Sequence, residues 1–180
     1  MKPGFAAAIF VALLTMGSAN AASPTVSGLW EQSDDKGVVG AWFLFEEKDG
    51  IFVGRLVKMF KRGGEKLVEN CLKCTGDQKN AKMLGLTIVK GMKRDGLSYR
   101  EGSILDPRDG SIYHAQMDLS EDGQELAVRG YLGIEMFGKT QTWRRLPDDA
   151  LKGKDLPREV LAKGGTAPKP EPAATEGAAQ

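Results

Sequence analysis

Four Asp-Gly dipeptides constrain the fold of this chain more than any other feature of its sequence. They separate runs rich in β-branched, aromatic and aliphatic residues, at Asp49-Gly50, Asp95-Gly96, Asp109-Gly110 and Asp122-Gly123. Tight hairpin turns need positive φ angles, which Gly and Asp tolerate, so this dipeptide between strand-like runs is a strong signal for a β-hairpin. The chain is therefore predicted to run up and down in consecutive antiparallel strands.

The strand-like runs predict an all-β fold, an eight-stranded antiparallel up-and-down barrel with a short C-terminal helix. The predicted strands are residues 27–32, 38–47, 51–61, 84–93, 97–105, 111–119, 124–132 and 139–146. The interior of an eight-stranded barrel is just wide enough to be filled by side chains or to hold one small ligand. A two-sheet sandwich is the alternative that strand counting leaves open.

Alternation of apolar and polar residues predicts which side chains face the interior. In the sixth strand, Tyr113 belongs to the apolar set that is predicted to point inward. In the second strand both faces are apolar, with Trp42 and Leu44 opposite Phe43 and Phe45. The pattern does not decide which pair points inward, and the other pair is predicted to be covered by the C-terminal segment.

The N-terminal residues are typical of a secretory signal. Lys2 precedes an apolar run over residues 5–16, and Ala19-Asn20-Ala21 provides small residues for cleavage. The run is shorter than the about 20 apolar residues that span a bilayer. Residues 1–21 are therefore predicted to be a signal peptide, and the mature chain is predicted to be periplasmic or secreted, without a transmembrane segment.

The remaining chain divides by composition into three parts. Residues 22–147 are predicted to form the barrel domain, and residues 148–165 a helical extension with Asp155 as N-cap and Gly164 at its end. Residues 166–180 are rich in Pro, Ala, Glu and Gly, a composition that favours a disordered tail.

Loss of Lys2 with the signal peptide changes the formal charge of the chain from +1 to 0. The absence of a net positive charge argues against a nucleic-acid partner.

Cys71 and Cys74 are the two cysteines of the chain and lie in a long predicted loop. In an oxidising compartment they are predicted to form a disulfide, worth about 2 kcal/mol for so short a closed loop. The loop is either a lid over the barrel mouth, with Asp77, Asn80 and Lys82 as a polar rim, or a solvated connection. Redox chemistry lacks the thioredoxin-type context that it needs.

No catalytic or metal-binding group stands out in the sequence. His114 is the sole histidine and falls on the polar face of its strand, and two cysteines with one distant histidine are too few for a zinc site. The acidic segment from Asp106 to Gly110 has the Asp, Pro and Gly of a hairpin turn. The chain is therefore predicted not to be an enzyme and to have no cofactor.

The two ends of the barrel sequence carry a resemblance to known proteins. Gly28-Leu29-Trp30 opens the first strand, and Trp143 and Arg145 lie at the end of the last, so Trp30, Trp143 and Arg145 are predicted to close the barrel. A Gly-x-Trp start with a late Arg resembles the lipocalins and other calycins.

A more specific resemblance extends from Gly28 to Arg145. The segments GLW, NCLKCTGDQKNAKMLGLTIVKGM, EGSILDPRDGSIY and LAVRGYLGIEMFGKTQTWRR resemble the bacterial family of domain of unknown function 2147. This resemblance implies an exported, lipocalin-like barrel without an established reaction, and it supplies no catalytic residue.

Two functions are compatible with these features. The first is binding of a small apolar, lipophilic molecule inside the barrel, with the lining predicted as Trp42, Leu86, Tyr113, Met117 and Val128. The second is a non-catalytic structural or protein-interaction module of the cell envelope. An internal cavity would favour the first function, and an exposed apolar patch the second.

Overall fold

In the computed structural model, residues 23–64 and 66–151 are described, and they contain a closed β-barrel. Its strands are β1 (Gly28–Ser33), β2 (Val39–Lys48), β3 (Ile51–Met59), β4 (Thr87–Asp95), β5 (Ser98–Asp106), β6 (Ser111–Leu119), β7 (Glu125–Tyr131) and β8 (Lys139–Arg145). Each strand pairs antiparallel with the next, and β8 pairs with β1. The predicted eight-stranded up-and-down barrel is confirmed, and closure excludes the sandwich. The predicted signal peptide (1–21) and tail (166–180) lie outside the described residues.

The Asp-Gly dipeptides lie at hairpin connections, as the sequence predicts. Asp49 and Gly50 both have positive φ angles, 53° and 77°, and form the two-residue turn between β2 and β3. This is the backbone geometry whose twist matches that of paired strands. The largest difference from the predicted strand bounds is at β4, which starts at Thr87, because Leu86 and Gly85 still belong to the preceding loop.

The connections distinguish the two ends of the barrel. At one end, here called the closed end, the connections 49–50, 96–97 and 120–124 are short, and the chain enters β1 and leaves β8. At the other, here called the open end, lie the connections 34–38, 60–86, 107–110 and 132–138. The longest loop of the described chain, 60–86, therefore borders the open end.

The half of the barrel next to the closed end is filled by large side chains. The largest fully buried side chains are Trp30, Phe45, Phe52, Met92, Tyr99, Met117 and Leu126. Two strand glycines make room for them. A Cβ on Gly102 would lie 1.9 Å from the Met92 Sδ and 2.6 Å from the Lys90 carbonyl oxygen, and a Cβ on Gly54 would lie 2.8 Å from the Phe45 ring. This half of the interior is solid.

The C-terminal segment covers part of the outer surface of β1, β2 and β3. Phe43 and Phe45 belong to the interior core, whereas Trp42 and Leu44 pack outside in a second cluster with Leu151. The structure thus decides the assignment that the sequence left open.

The helical structure in the described part of the extension is one 3-10 turn, Asp148–Ala150. The predicted helix with Asp155 and Gly164 lies outside the described residues. No helix within residues 23–64 and 66–151 has the length and apolar character of a membrane span.

Candidate ligand-binding site

The interior next to the open end contains a cavity of about 640 Å³. Its deeper walls come from the strands and are mainly apolar, with Ala41, Phe43, Leu56, Ile88, Ile104, Leu105, Tyr113, Val128 and Trp143. Its outer walls come from the end of β3, at Met59, and from loop residues that include Leu67, Val68, Met83, Leu132 and Phe137. The volume lies within the roughly 300–1,000 Å³ of small-molecule sites.

Two stacked aromatic rings form the floor of the cavity. The centroids of Phe43 and Trp143 lie 4.4 Å apart with nearly parallel planes, and both rings line the cavity. Phe45 packs against Trp143 on the filled side, with a centroid distance of 6.2 Å. The barrel is therefore hollow above this aromatic pair and filled below it.

Arg62, from the start of the long loop, lies at the mouth of the cavity against the backbone of Gly40. A Cβ on Gly40 would lie 2.0 Å from the Arg62 Nη2, so that only glycine leaves room for the guanidinium there. The Nη2 donates to the Gln32 Oε1 at 3.2 Å and to the Val38 carbonyl at 3.3 Å. The Arg62 Nε is buried and has no hydrogen-bond partner among the described residues.

The other charged residues of the lining differ in how they are paired. Arg108 forms a two-point pair with Asp106 and lowers the pKa of that carboxyl group by hydrogen bonding. Lys139 lies 3.5 Å from an Asp35 carboxylate oxygen. Lys66 forms no ion pair with the described part of the chain. The lining therefore contains four cationic side chains, those of Arg62, Lys66, Arg108 and Lys139, and one carboxylate, that of Asp106.

Cys71 and Cys74 form a disulfide with a Cα separation of 5.4 Å, as predicted. Both cysteines are buried in the interior core. The loop packs closely on the β5–β6 turn, since a Cβ on Gly110 would lie 2.1 Å from the Lys73 carbonyl oxygen. The disulfide therefore fixes one side of the cavity mouth.

The predicted polar rim of a lid is wrong in its residues. Asp77, Asn80 and Lys82 are not part of the cavity lining, and Lys82 pairs with Asn70 in an isolated β-bridge of the loop. The loop contributes to the cavity instead through 66–68 and Met83. It forms a side wall of the mouth.

The five predicted lining residues fall into three groups. Tyr113 and Val128 line the cavity. Leu86 and Met117 were predicted to do so and instead belong to the packed core, because neighbouring side chains fill the space around them. The assignment of Trp42 to the interior is wrong, because its ring lies in the outer cluster and its Nε1 donates to the Glu31 Oε2 at 3.0 Å.

The residues predicted to close the barrel lie at the seam between β1 and β8. Arg145 lies over the Trp30 ring, with its Cζ 4.3 Å from the centroid, and donates to the carbonyls of Thr25, Ser27 and Gly123. Trp143 pairs with Gln32 across the same seam, but its ring forms the cavity floor. Closure of the end thus rests on Trp30 and Arg145.

The described residues show no cluster of side chains suited to hold a metal ion. No group of three or more His, Cys, Asp or Glu side chains in ranges 23–64 and 66–151 converges as metal ligands would. His114 is exposed, and its ring lies 5.4 Å from that of Tyr131. The lone histidine therefore has the surroundings of a surface strand residue.

Large apolar side chains are exposed around the open end, a feature that the sequence analysis did not identify. In the β7–β8 connection, Ile134, Met136 and Phe137 have relative exposures of 64%, 75% and 77%. Leu72 and Val68, in the long loop, are also exposed. We call these five residues the apolar rim.

Comparison with known proteins supports the fold. The solved structure of HP1028 from Helicobacter pylori, described as belonging to the lipocalin family, matches with a TM-score of 0.63. The two sequences are 22% identical, and the match covers 77% of this chain and 97% of the other. At this identity the likeness concerns the fold alone.

Sequence comparison identifies the family. A search of curated protein sequences finds no match. The family model described as "Uncharacterized protein conserved in bacteria (DUF2147)" matches residues 28–145, from the start of β1 to the end of β8. The chain therefore belongs to the DUF2147 family, with a lipocalin-like barrel.

Proposed function

We propose that this protein is an exported, non-enzymatic carrier that encloses a small apolar molecule in the open half of its barrel. The observation that carries the proposal is the cavity of about 640 Å³ above the Phe43–Trp143 floor. Burial of apolar ligand surface against such walls contributes about 25 cal/mol per Å². Few polar contacts are then needed for affinity.

The contrast within the interior supports a binding role for this cavity. In the filled half, large side chains occupy the barrel interior, with Tyr99 and Met117 fully buried. The open half has the smaller Ala41 and Val128 in its walls. The cavity follows from this choice of side chains, because the same barrel diameter is filled elsewhere.

Ligand extraction and a filled-cavity variant test the proposal. The protein, purified without detergent, is extracted with organic solvent for mass spectrometry and titrated with an uncharged naphthylamine fluorophore. Val128→Phe places a ring in the cavity and is expected to abolish binding, whereas Ile112→Phe, on the outer surface, is expected to preserve it. Absence of both a bound molecule and fluorophore uptake in folded protein would contradict the proposal.

The apolar rim favours a second candidate function, that of an interaction module of the cell envelope. Three of its large apolar side chains, Ile134, Met136 and Phe137, are exposed within one short connection, and exposed apolar surface of this kind often marks a contact with a partner. A photo-crosslinking residue at position 137 would then give a discrete protein adduct in cells, and the same residue at the exposed position 112 would not. Equal labelling from both positions would exclude this candidate.

A further inference from the structure

We propose that the molecule held in the cavity is an amphipathic anion, an apolar chain with a carboxylate or phosphate head group, and that Arg62 binds the head group. This inference rests on the proposed carrier function and adds the chemical class of the ligand. It places the apolar chain between the strand walls and the charged end at the mouth, beside Arg62.

The first support is the unused hydrogen-bonding capacity of Arg62. Its Nη2 is engaged by Gln32 and Val38, but its Nε is buried and lacks an acceptor in the described part of the chain. The nearest carboxylate, from Asp34, is 4.0 Å from the Nη1, at the limit of an ion pair. A buried donor without an acceptor is unfavourable, and guanidinium groups match the oxygens of carboxylates and phosphates.

The second support is the distribution of charge around the mouth. Of the four cationic residues that line the cavity, Arg108 is neutralised by Asp106 and Lys139 lies beside Asp35. Lys66 has no ion-pair partner in the described chain, and Arg62 has only the distant Asp34. The uncompensated positive charge is therefore concentrated on Arg62 and Lys66, above an apolar wall.

The third support is the specific position that Gly40 gives the guanidinium. A Cβ on Gly40 would lie 2.0 Å from the Arg62 Nη2 and 2.6 Å from its Cζ. Gly40 does not have a positive φ angle, so the backbone conformation itself accepts alanine. Gly40→Ala is thus expected to displace the guanidinium and retain its charge, which separates placement from net charge.

The experiment compares ligands that share one alkyl chain. Displacement of the uncharged fluorophore is measured with dodecanoate, dodecyl phosphate and dodecanol near neutral pH. We expect at least one of the two anions to bind about tenfold or more tightly than the alcohol, the scale of one hydrogen bond to a charged group. Arg62→Gln and Gly40→Ala are expected to remove this preference and to leave dodecanol binding within about twofold. The stronger anion identifies the head group.

Arg144→Gln serves as the matched control, because this exposed strand arginine lies outside the cavity lining and its replacement changes the net charge by the same amount. It is expected to retain the preference for the anion. Circular dichroism and thermal unfolding establish that each variant is folded. If the fluorophore binds but anions and alcohol bind equally, or if the preference survives in Arg62→Gln, the inference is overturned and the carrier function stands. If folded wild type binds none of these molecules, the carrier function fails as well.

Discussion

The closed and open ends of this barrel are built from the same eight strands, and yet they differ in almost every physical property. At the closed end the turns are short and the interior is filled around Trp30 and Tyr99. The open end has the two longest connections, 60–86 and 132–138, a cavity between the strands, and apolar side chains that reach solvent. The difference shows that large buried side chains concentrate in one half of the barrel, whereas the other half leaves interior space.

Two arginines show the same division at the level of single side chains. Arg145 donates to three carbonyl groups and lies over the Trp30 ring, so its hydrogen-bonding capacity is largely used within the fold. Arg62 has a buried Nε without a partner among the described residues. An arginine that is satisfied by its own chain stabilises the fold, whereas one with a free donor at a cavity is suited to an external acceptor.

The largest expected effect is the difference in free energy of unfolding between a substitution at the closed end and one at the open end. Trp30→Ala removes a fully buried ring and is expected to lower the free energy of unfolding by about 3–5 kcal/mol. Phe137→Ala, at a residue 77% exposed in the apolar rim, is expected to change it by less than about 0.5 kcal/mol. Urea unfolding monitored by circular dichroism measures both. Similar losses in the two variants would contradict the division.

A second prediction concerns the space that glycine provides in each half. Gly102→Ala is expected to cost roughly 1–3 kcal/mol, because its Cβ would collide with Met92 and with the Lys90 backbone. Gly130→Ala is the control at the open half, where the nearest atom, the Ile104 Cγ2, would lie 3.2 Å away. Its cost is expected to be below about 1 kcal/mol. Thermal unfolding of the two variants in parallel measures both losses of stability. A larger loss of stability in Gly130→Ala than in Gly102→Ala would contradict the prediction.

Removal of the disulfide tests whether the long loop contributes both to the stability of the fold and to the shape of the cavity. Replacement of Cys71 and Cys74 by alanine is expected to cost about 2 kcal/mol, the chain-entropy value for a loop of this size. It is also expected to weaken fluorophore binding, because Met83 and the segment 66–68 would lose their fixed position in the cavity wall. Unfolding and fluorophore titration are measured on the same preparation. Unchanged affinity with reduced stability would assign the loop to the fold alone.

The smallest expected effect is at the Tyr99 hydroxyl, which accepts the Val26 N–H at 2.8 Å inside the closed half. Tyr99→Phe keeps the ring and is expected to cost about 1 kcal/mol for the lost hydrogen bond. Burial raises the pKa of Tyr99 above its ordinary value of 10.0. The folded state therefore holds this proton more tightly than the unfolded chain does, and the associated stability is present below about pH 10 and is lost as the pH rises further.

Alkaline absorbance titration measures this difference. The chain has three tyrosines. Because the pKa of Tyr99 is raised, an ionisation step above the ordinary tyrosine range is expected in the wild type and is expected to disappear in Tyr99→Phe. A late step that persists without Tyr99 would show that another tyrosine causes it.

The sequence predicts the strands of this barrel well because their signals are local. The Asp49-Gly50 turn specifies its own hairpin, and alternation around Tyr113 identifies an inward face. Alternation does not identify the outward position of Trp42, because both faces of β2 are apolar and the pairing register shifts between Trp42 and Phe43. Alternation of apolar and polar residues cannot show which face of a strand points inward when both faces are apolar and a bulge shifts the register.

The candidate head-group site was beyond prediction for a different reason. Arg62 has no partner near it in the sequence, and its position depends on Gly40 and Gln32 from two other segments of the barrel. The cavity itself depends on which interior side chains meet across the barrel, not on any one strand. Such long-range combinations become visible only after the barrel has closed.

The chain enters β1 and leaves β8 at the same pole of the barrel, opposite the cavity mouth. A linker or fusion partner joined directly before Gly28 or after Arg145 would therefore start at the pole opposite the cavity mouth. The two flanks are also close enough, through the Trp30–Arg145 pairing, for a short peptide to join them. New ends could then be opened in a loop beside the mouth, where a biosensor domain would report directly on occupancy.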